Sequence, residues 1–145
     1  MTTIVYVACA ESRDIAVLRL DPATGALTPL QRVDSGGAVM PLAVSPDRRC
    51  LYASIRSEPF EVASFAIDGR NGELRPIGRS PLPESSCWIS TDRSGRWLLS
   101  ASYGGSAIAV GPIDGEAARL RLRRRVIDER EAAGCGIDRE RGERA

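Results

Sequence analysis

The sequence predicts an all-β fold, a partial β-propeller of about two and a half four-stranded blades, and three observations lead there. First, a polar turn followed by an apolar run, Ser45-Pro46-Asp47-Arg48-Arg49-Cys50-Leu51-Tyr52-Ala53-Ser54, returns as Ser90-Thr91-Asp92-Arg93-Ser94-Gly95-Arg96-Trp97-Leu98-Leu99-Ser100. Second, Ile15-Ala16-Val17-Leu18-Arg19-Leu20-Asp21 reappears as Val62-Ala63-Ser64-Phe65-Ala66-Ile67-Asp68 and again as Ile108-Ala109-Val110-Gly111-Pro112-Ile113-Asp114, with Asp steps of 47 and 46 residues. Third, Gly, Pro and Asp are spaced so closely that no helical run is left, which excludes an α-solenoid of the same period.

In chain order, residues 3 to 9, 14 to 20 and 27 to 33 read as three strands joined by short polar turns. They make three quarters of a blade, because the innermost strand would have to precede Thr3. Residues 39 to 44, 50 to 55, 61 to 67 and 74 to 80 form a complete blade from inner to outer strand. Val, Leu and Tyr suit the pleated, half-buried surface of these strands. The turns Asp21-Pro22-Ala23-Thr24-Gly25 and Asp68-Gly69-Arg70-Asn71-Gly72 occupy matching places, each with a late Gly for the positive φ of a tight connection. A third blade begins at Cys87 and loses its pattern after Ile113.

Composition narrows the function classes. A formal net charge of +1 with 27% charged residues gives no pull toward nucleic acid or an anionic membrane. Met1-Thr2-Thr3 lacks a basic start and the apolar run from Ile4 to Ala10 is short for a signal or a membrane span, so a cytoplasmic location is expected. Cys9, Cys50, Cys87 and Cys135 contain no C-x-x-C pair and are expected to be reduced structural thiols, Cys9 and Cys50 as small core residues. Neither a metal nor a cofactor is expected. Histidine is absent, which removes Ser/His, Cys/His and His-ligated metal mechanisms from these residues.

The pieces Val5-Tyr6-Val7-Ala8, Glu11-Ser12, Val44-Ser45-Pro46-Asp47, Leu51-Tyr52, Ile89-Ser90-Thr91-Asp92 and Ser102-Tyr103 before Ile108-Ala109-Val110 resemble the seven-bladed β-propeller lactonases, bacterial 6-phosphogluconolactonase type, in order and register from residue 3 to about 115. The resemblance implies hydrolysis of 6-phospho-D-glucono-1,5-lactone to 6-phosphogluconate in the pentose phosphate pathway, with a small sugar-phosphate lactone as partner. Two alternatives keep the fold: a non-catalytic propeller binding module, and a lactonising cycloisomerase. In a propeller the outer-to-inner links (residues 34 to 38 and 82 to 86) and the links between second and third strands (56 to 59 and 103 to 106) share one end. Arg56 matches an Arg common at this point in the resembled family and would help bind a sugar phosphate, while Tyr103 would hydrogen-bond the ring. Trp88 stands where these lactonases often carry His, so it would stack on a ligand or line the channel but not shuttle a proton. The bland counterpart is a solvated Arg and packing aromatics. No catalytic residue is assigned.

Seven blades at this period need roughly 320 residues, so the 145-residue chain reads as a fragment without activity of its own, with unpaired strand edges that favour self-association. The domain reading is residues 1 to 116 for the partial propeller and 117 to 145 for an Arg-rich tail, disordered or non-native. Nine of these last 29 residues are Arg, offset by six acidic residues, which dilutes any basic nucleic-acid tract. An off-frame reading of a longer propeller gene would produce such a break. If so, another frame after codon 116 encodes further Ser-Pro-Asp turns and Leu-Tyr strands at the same period; three frames empty of them through the next kilobase would remove the idea.

Overall fold

The structure is a computed structural model that describes residues 3–105, 107–114, 119–120 and 123–126. Every regular element in it is a strand, and the strands form three separate antiparallel sheets. The first sheet holds β1 (Thr3–Cys9), β2 (Asp14–Leu20) and β3 (Leu27–Asp34) in that order. The second holds β4 (Val39–Val44), β5 (Cys50–Ile55), β6 (Glu61–Ile67) and β7 (Leu74–Pro81). In the third, β8 (Trp88–Thr91), β9 (Trp97–Ser102) and β10 (Ala107–Asp114) follow one another. Among the described residues no helix is long and apolar enough to cross a membrane.

Beyond Ile113, β11 (Arg119–Leu120) pairs Ile113 with Leu120, and β12 (Arg123–Val126) pairs Ala107 with Val126 through Val110 with Arg123. These two short segments of the Arg-rich stretch lie along β10 at the edge of that sheet. An edge strand gains from charged residues, which discourage pairing with other chains, so an Arg-rich composition does not oppose strand formation there. The remainder of the expected tail, residues 127–145 with Cys135, lies outside the described residues.

The second sheet is packed on both faces. Leu51, Ala53, Ile55, Ala63 and Phe65 join Ile15 and Val17 of the first sheet in one core, with Tyr6 and Leu30 against its margin. Tyr52 and Val62, on the opposite face by strand alternation, join Leu82, Ile89 and Leu98 in a second core toward the third sheet. Polar contacts add to the first junction: the Tyr6 hydroxyl donates to the Gly72 carbonyl at 2.8 Å, and the Gln31 amide donates to the Leu74 carbonyl at 3.0 Å while accepting from the Leu74 N–H at 2.8 Å. Burial of the ring pushes the Tyr6 phenol above its ordinary pKa.

The repeat extends beyond the residues that suggested it. The outer strand β3 carries one extra residue, Leu30, opposite Val17 and Leu18, and β7 one, Ile77, opposite Ser64 and Phe65, and beside each stands a Pro, Pro29 and Pro76. Proline in a strand is tolerated at edges and bulges because it has no N–H to give the ladder. The turns repeat with exchanged chemistry. The Ser45 N–H donates to the Cys50 carbonyl at 2.9 Å and the Asp92 N–H to the Trp97 carbonyl at 3.1 Å, so Ser45 is equivalent to Asp92, and the two Asp residues are not equivalent to each other. In the first turn the Ser45 hydroxyl donates to Asp47 at 2.6 Å and accepts from the Cys50 N–H at 2.9 Å. In the second, Asp92 accepts from the N–H groups of Arg96 and Trp97, both at 2.9 Å, and from the Ser94 hydroxyl. Arg48 (φ 59°) and Gly95 (φ 68°) occupy the same left-handed position, which Gly adopts without strain.

These hydrogen bonds hold both carboxyls low: Ser45 and the Arg49 N–H lower Asp47, and Ser94 with the Trp97 N–H lowers Asp92 to about 2. A carboxyl depressed on folding stabilises the fold above its unfolded pKa, and that contribution is lost as pH falls through the folded value. The melting temperature is therefore expected to decline as pH drops from about 4 toward 2. Asp92→Asn flattens that decline in a pH series of thermal melts, whereas an unchanged slope would show that the carboxylate does not report on folding.

Candidate functional site

The links that enter each sheet and those between its second and third strands meet at one end of the array. Ser35, fully buried, fixes the first junction: its N–H and its hydroxyl both reach the Arg13 carbonyl, at 2.9 and 2.6 Å. Two residues on, a side chain at Gly37 would place its Cβ 2.5 Å from both Ile55 Cγ2 and Ser57 Oγ. Only Gly lets the link pass so close to the second sheet. The next residue, Ala38, donates its N–H to Ser57 Oγ at 3.2 Å and accepts from the Arg56 N–H at 2.9 Å. The backbone of Arg56 is thereby tied to the start of β4, and the residue is exposed.

On the third sheet, the Cys87 N–H donates to the Ala101 carbonyl at 2.9 Å, and the hydroxyls of Ser86 and Ser100, both buried, touch each other. This pair fixes the link from residue 82 to 87 against β9. The turn after β9 is closed by the Gly105 N–H donating to Ser102 Oγ at 3.1 Å. Glu84 lies over that turn: a Cβ at Gly105 would stand 2.8 Å from its Cδ and 3.1 Å from its Oε2.

Between the two sheets lies an open cleft of about 270 Å³. Arg56 and Met40 come from the second sheet, Ser102, Tyr103 and the Gly104-Gly105 turn from the third, and Glu84 to Cys87 from the link joining them. Two of the residues predicted from sequence, Arg56 and Tyr103, thus meet in one cleft although they stand 47 positions apart. Tyr103 is 90% exposed, so its phenol stands at the rim. Trp88 is not among the lining residues. It sits on β8 opposite Ala101, 55% exposed, and parity with its buried neighbour Ile89 turns it to the far face of the third sheet, the face of Leu99 and Trp97.

Glu84 and the serines were missed by sequence reasoning. They lie in the quoted link from residue 82 to 86, and the signal was a carboxylate and two hydroxyls immediately ahead of an inner strand. Among the described residues the cleft is lined by one cation, one carboxylate, several hydroxyls and glycine backbone, a set that hydrogen-bonds polar ligands of mixed charge. Among the described residues no three His, Cys, Asp or Glu side chains converge as metal ligands. Cys9 and Cys50 are half-buried, Cys50 packed against the second core, Cys87 is exposed, and all three are free thiols. A larger depression of about 350 Å³, bounded by Asp34, Ser64, Phe65 and Pro76 to Arg79, lies elsewhere. There Arg79 donates to the Ser35 carbonyl at 2.6 Å and pairs with Glu61 at 3.0 Å, which makes it a structural strut.

Comparison with known proteins agrees with this architecture. The chain is 46% identical over 110 residues to the 6-phosphogluconolactonase of Cronobacter sakazakii, covering 76% of this chain and 32% of that protein. It is 45% identical over 116 residues to the 6-phosphogluconolactonase of Pectobacterium atrosepticum, covering 80% and 34%. The chain therefore spans about a third of the length of these curated relatives. Among solved structures, the periplasmic gluconolactonase of Pseudomonas aeruginosa superposes with a TM-score of 0.70 at 22% identity, over 84% of this chain and 38% of that one, a likeness of fold. The family model described as lactonase, 7-bladed β-propeller, matches residues 3–145, and the chain belongs to that family.

Proposed function

We propose that the chain is part of a lactone hydrolase that opens 6-phospho-D-glucono-1,5-lactone to 6-phosphogluconate. The observation that carries this reading is the cleft in which Arg56 and Tyr103 come together at the loop end of the second and third sheets. Relatives named 6-phosphogluconolactonase, about 46% identical across three quarters of the chain, support it. In the reaction water attacks the ring carbonyl carbon, the bond from that carbon to the ring oxygen breaks, and the ring oxygen leaves with a proton as the hydroxyl of the open acid. Arg56 holds the phosphate as a charge-assisted donor, and Tyr103 hydrogen-bonds the ring. Donors placed at the carbonyl oxygen stabilise the developing oxyanion. No described residue is assigned the proton transfers. A phosphorylated sugar does not cross membranes unaided, which suits a cytoplasmic enzyme.

The same reading makes the isolated chain inactive, because groups from two adjacent sheets do not surround a carbonyl or exclude water from it. Purified 145-residue chain is expected to leave the hydrolysis of 6-phosphogluconolactone at the buffer rate; acceleration above that rate would show its three sheets to be sufficient. A chimera tests the substrate: residues 3–114 replace their counterpart in the Pectobacterium relative. It is expected to prefer 6-phosphogluconolactone to plain gluconolactone, and Arg56→Gln is expected to lower kcat/KM by about tenfold or more, mainly for the phosphorylated substrate. An active chimera indifferent to both the phosphate and Arg56 overturns the reading.

Self-association belongs to the proposal as well. Among the described residues β1 has a partner on one side only, and the outward face of the third sheet shows Trp97 at 44% and Leu99 at 36% exposure. Unpaired edges and exposed apolar faces favour association. Ultracentrifugation of the chain is expected to give species larger than the monomer, and a monomer at all concentrations would refute this.

A further inference from the structure

We propose that Met40 is a specificity-determining residue of the cleft: its thioether side chain is the wall on which the C–H face of a sugar ring packs while Arg56 holds the anionic group. This rests on the sugar-phosphate lactone reading and names what recognises the ring. Met40 lines the cleft together with Arg56 and Tyr103, and it is 43% exposed. Its position comes from an irregularity in β4. Val39 pairs with Ile55 and Leu42 with Ala53, so Met40 and Pro41 together stand opposite Ser54. The extra residue lets Val39 and Leu42, three apart, both pack in the first core, where a regular strand would turn them to opposite faces. That rung costs the fold stability. Pro41 has no N–H for the ladder, and the fully buried Ser54 hydroxyl meets no hydrogen-bond partner among the described residues. Bulges of this kind persist beside sites because they re-aim a side chain.

The repeat shows the same place from another side. In the third sheet the matching pair of strands, β8 and β9, runs without a register shift, so the bulge belongs to the second sheet and not to the repeat. Equating Ser45 with Asp92 equates Ser54 with Ala101, and the residue opposite Ala101 is Trp88. Met40 thus holds in the second sheet the place that Trp88 holds in the third, and the stacking role expected of Trp88 falls one repeat earlier. A pyranose ring presents C–H faces between its hydroxyl edges. An unbranched, polarisable thioether moulds to such a face, which a hydrogen-bonding group does not. Arg56 and Met40 therefore divide the ligand, the charge going to one and the ring to the other.

Met40 is one of two methionines in the chain, so carbon-13 labelling of the methionine methyls gives two signals, and Met40→Leu identifies its own by loss. Three stable probes are added to the labelled 145-residue chain: 1,5-anhydroglucitol 6-phosphate, its unphosphorylated parent 1,5-anhydroglucitol, and inorganic phosphate. Both ring probes are expected to shift the Met40 methyl, and inorganic phosphate to leave it in place. Amide shifts give the affinities of the variants. Met40→Leu, which keeps an apolar side chain of similar size, binds the rings within about twofold, whereas Met40→Ser weakens both by about fivefold and spares phosphate. Arg56→Gln weakens the phosphorylated ring and spares its parent. The inference is overturned if neither ring probe moves the Met40 methyl, or if Met40→Ser binds both rings as tightly as the unsubstituted chain. In the chimera, Met40→Ser raises KM for the phosphorylated and plain lactones alike with kcat unchanged, and an unchanged KM also overturns it. A chimera that prefers the phosphorylated lactone while the Met40 methyl stays still defeats this inference alone. A moving methyl beside a chimera indifferent to phosphate and Arg56 defeats the lactonase reading alone.

Discussion

The second sheet has no free face, and the rest of the molecule depends on that. Leu51 and Tyr52 are neighbours in sequence, yet one is buried against the first sheet and the other against the third. A strand whose successive residues are all buried is stable only between two layers, since either face left in water would expose a row of apolar side chains. The near-continuous burial of β5, from Leu51 through Ile55, is therefore a statement about its neighbours as much as about itself. The repeat period serves this packing: each unit returns the chain with a sheet that lays the same face on the previous one.

The turns show what the repeat preserves and what it lets vary. Their backbone path is shared, with one hydrogen bond closing each loop from the first turn residue to the first strand residue. The side chains that satisfy the N–H groups inside the loop differ: a hydroxyl backed by Asp47 in one, a carboxylate backed by Ser94 in the other. Either arrangement covers the same donors, because a Ser hydroxyl and an Asp oxygen are both short acceptors that reach their own backbone. A letter-by-letter alignment that places Asp47 on Asp92 misses this, whereas counting donors finds it.

Strand positions were legible because Gly, Pro and Asp mark each reversal, and the second blade appears where its apolar runs lie, from Val39 to Pro81. The end of the third sheet was not legible. Arginine signals solvent rather than strand, and an edge strand held by backbone pairing to β10 carries little apolar pattern. Of the candidate site, Arg56 and Tyr103 were found from loop position, since loops at one end of stacked sheets must converge. Trp88 lies on the other face of β8 from the buried Ile89, since one residue of parity decides which face of a strand a side chain takes. Glu84 went unremarked because its meaning depends on Gly105, which approaches it only after the sheets have packed.

The cleft is consequently a product of the packing between sheets and not of either sheet. Arg56 is positioned by the first junction, through Ala38 and the link that Ser35 ties to Arg13. Glu84 and Tyr103 are positioned by the third sheet, whose place relative to Arg56 is set by Tyr52, Val62, Ile89 and Leu98. Close-packed interiors transmit small displacements, so a change in that core moves one wall of the cleft against the other without touching a polar residue. The geometry of the cleft then holds only while the second sheet remains covered on both faces.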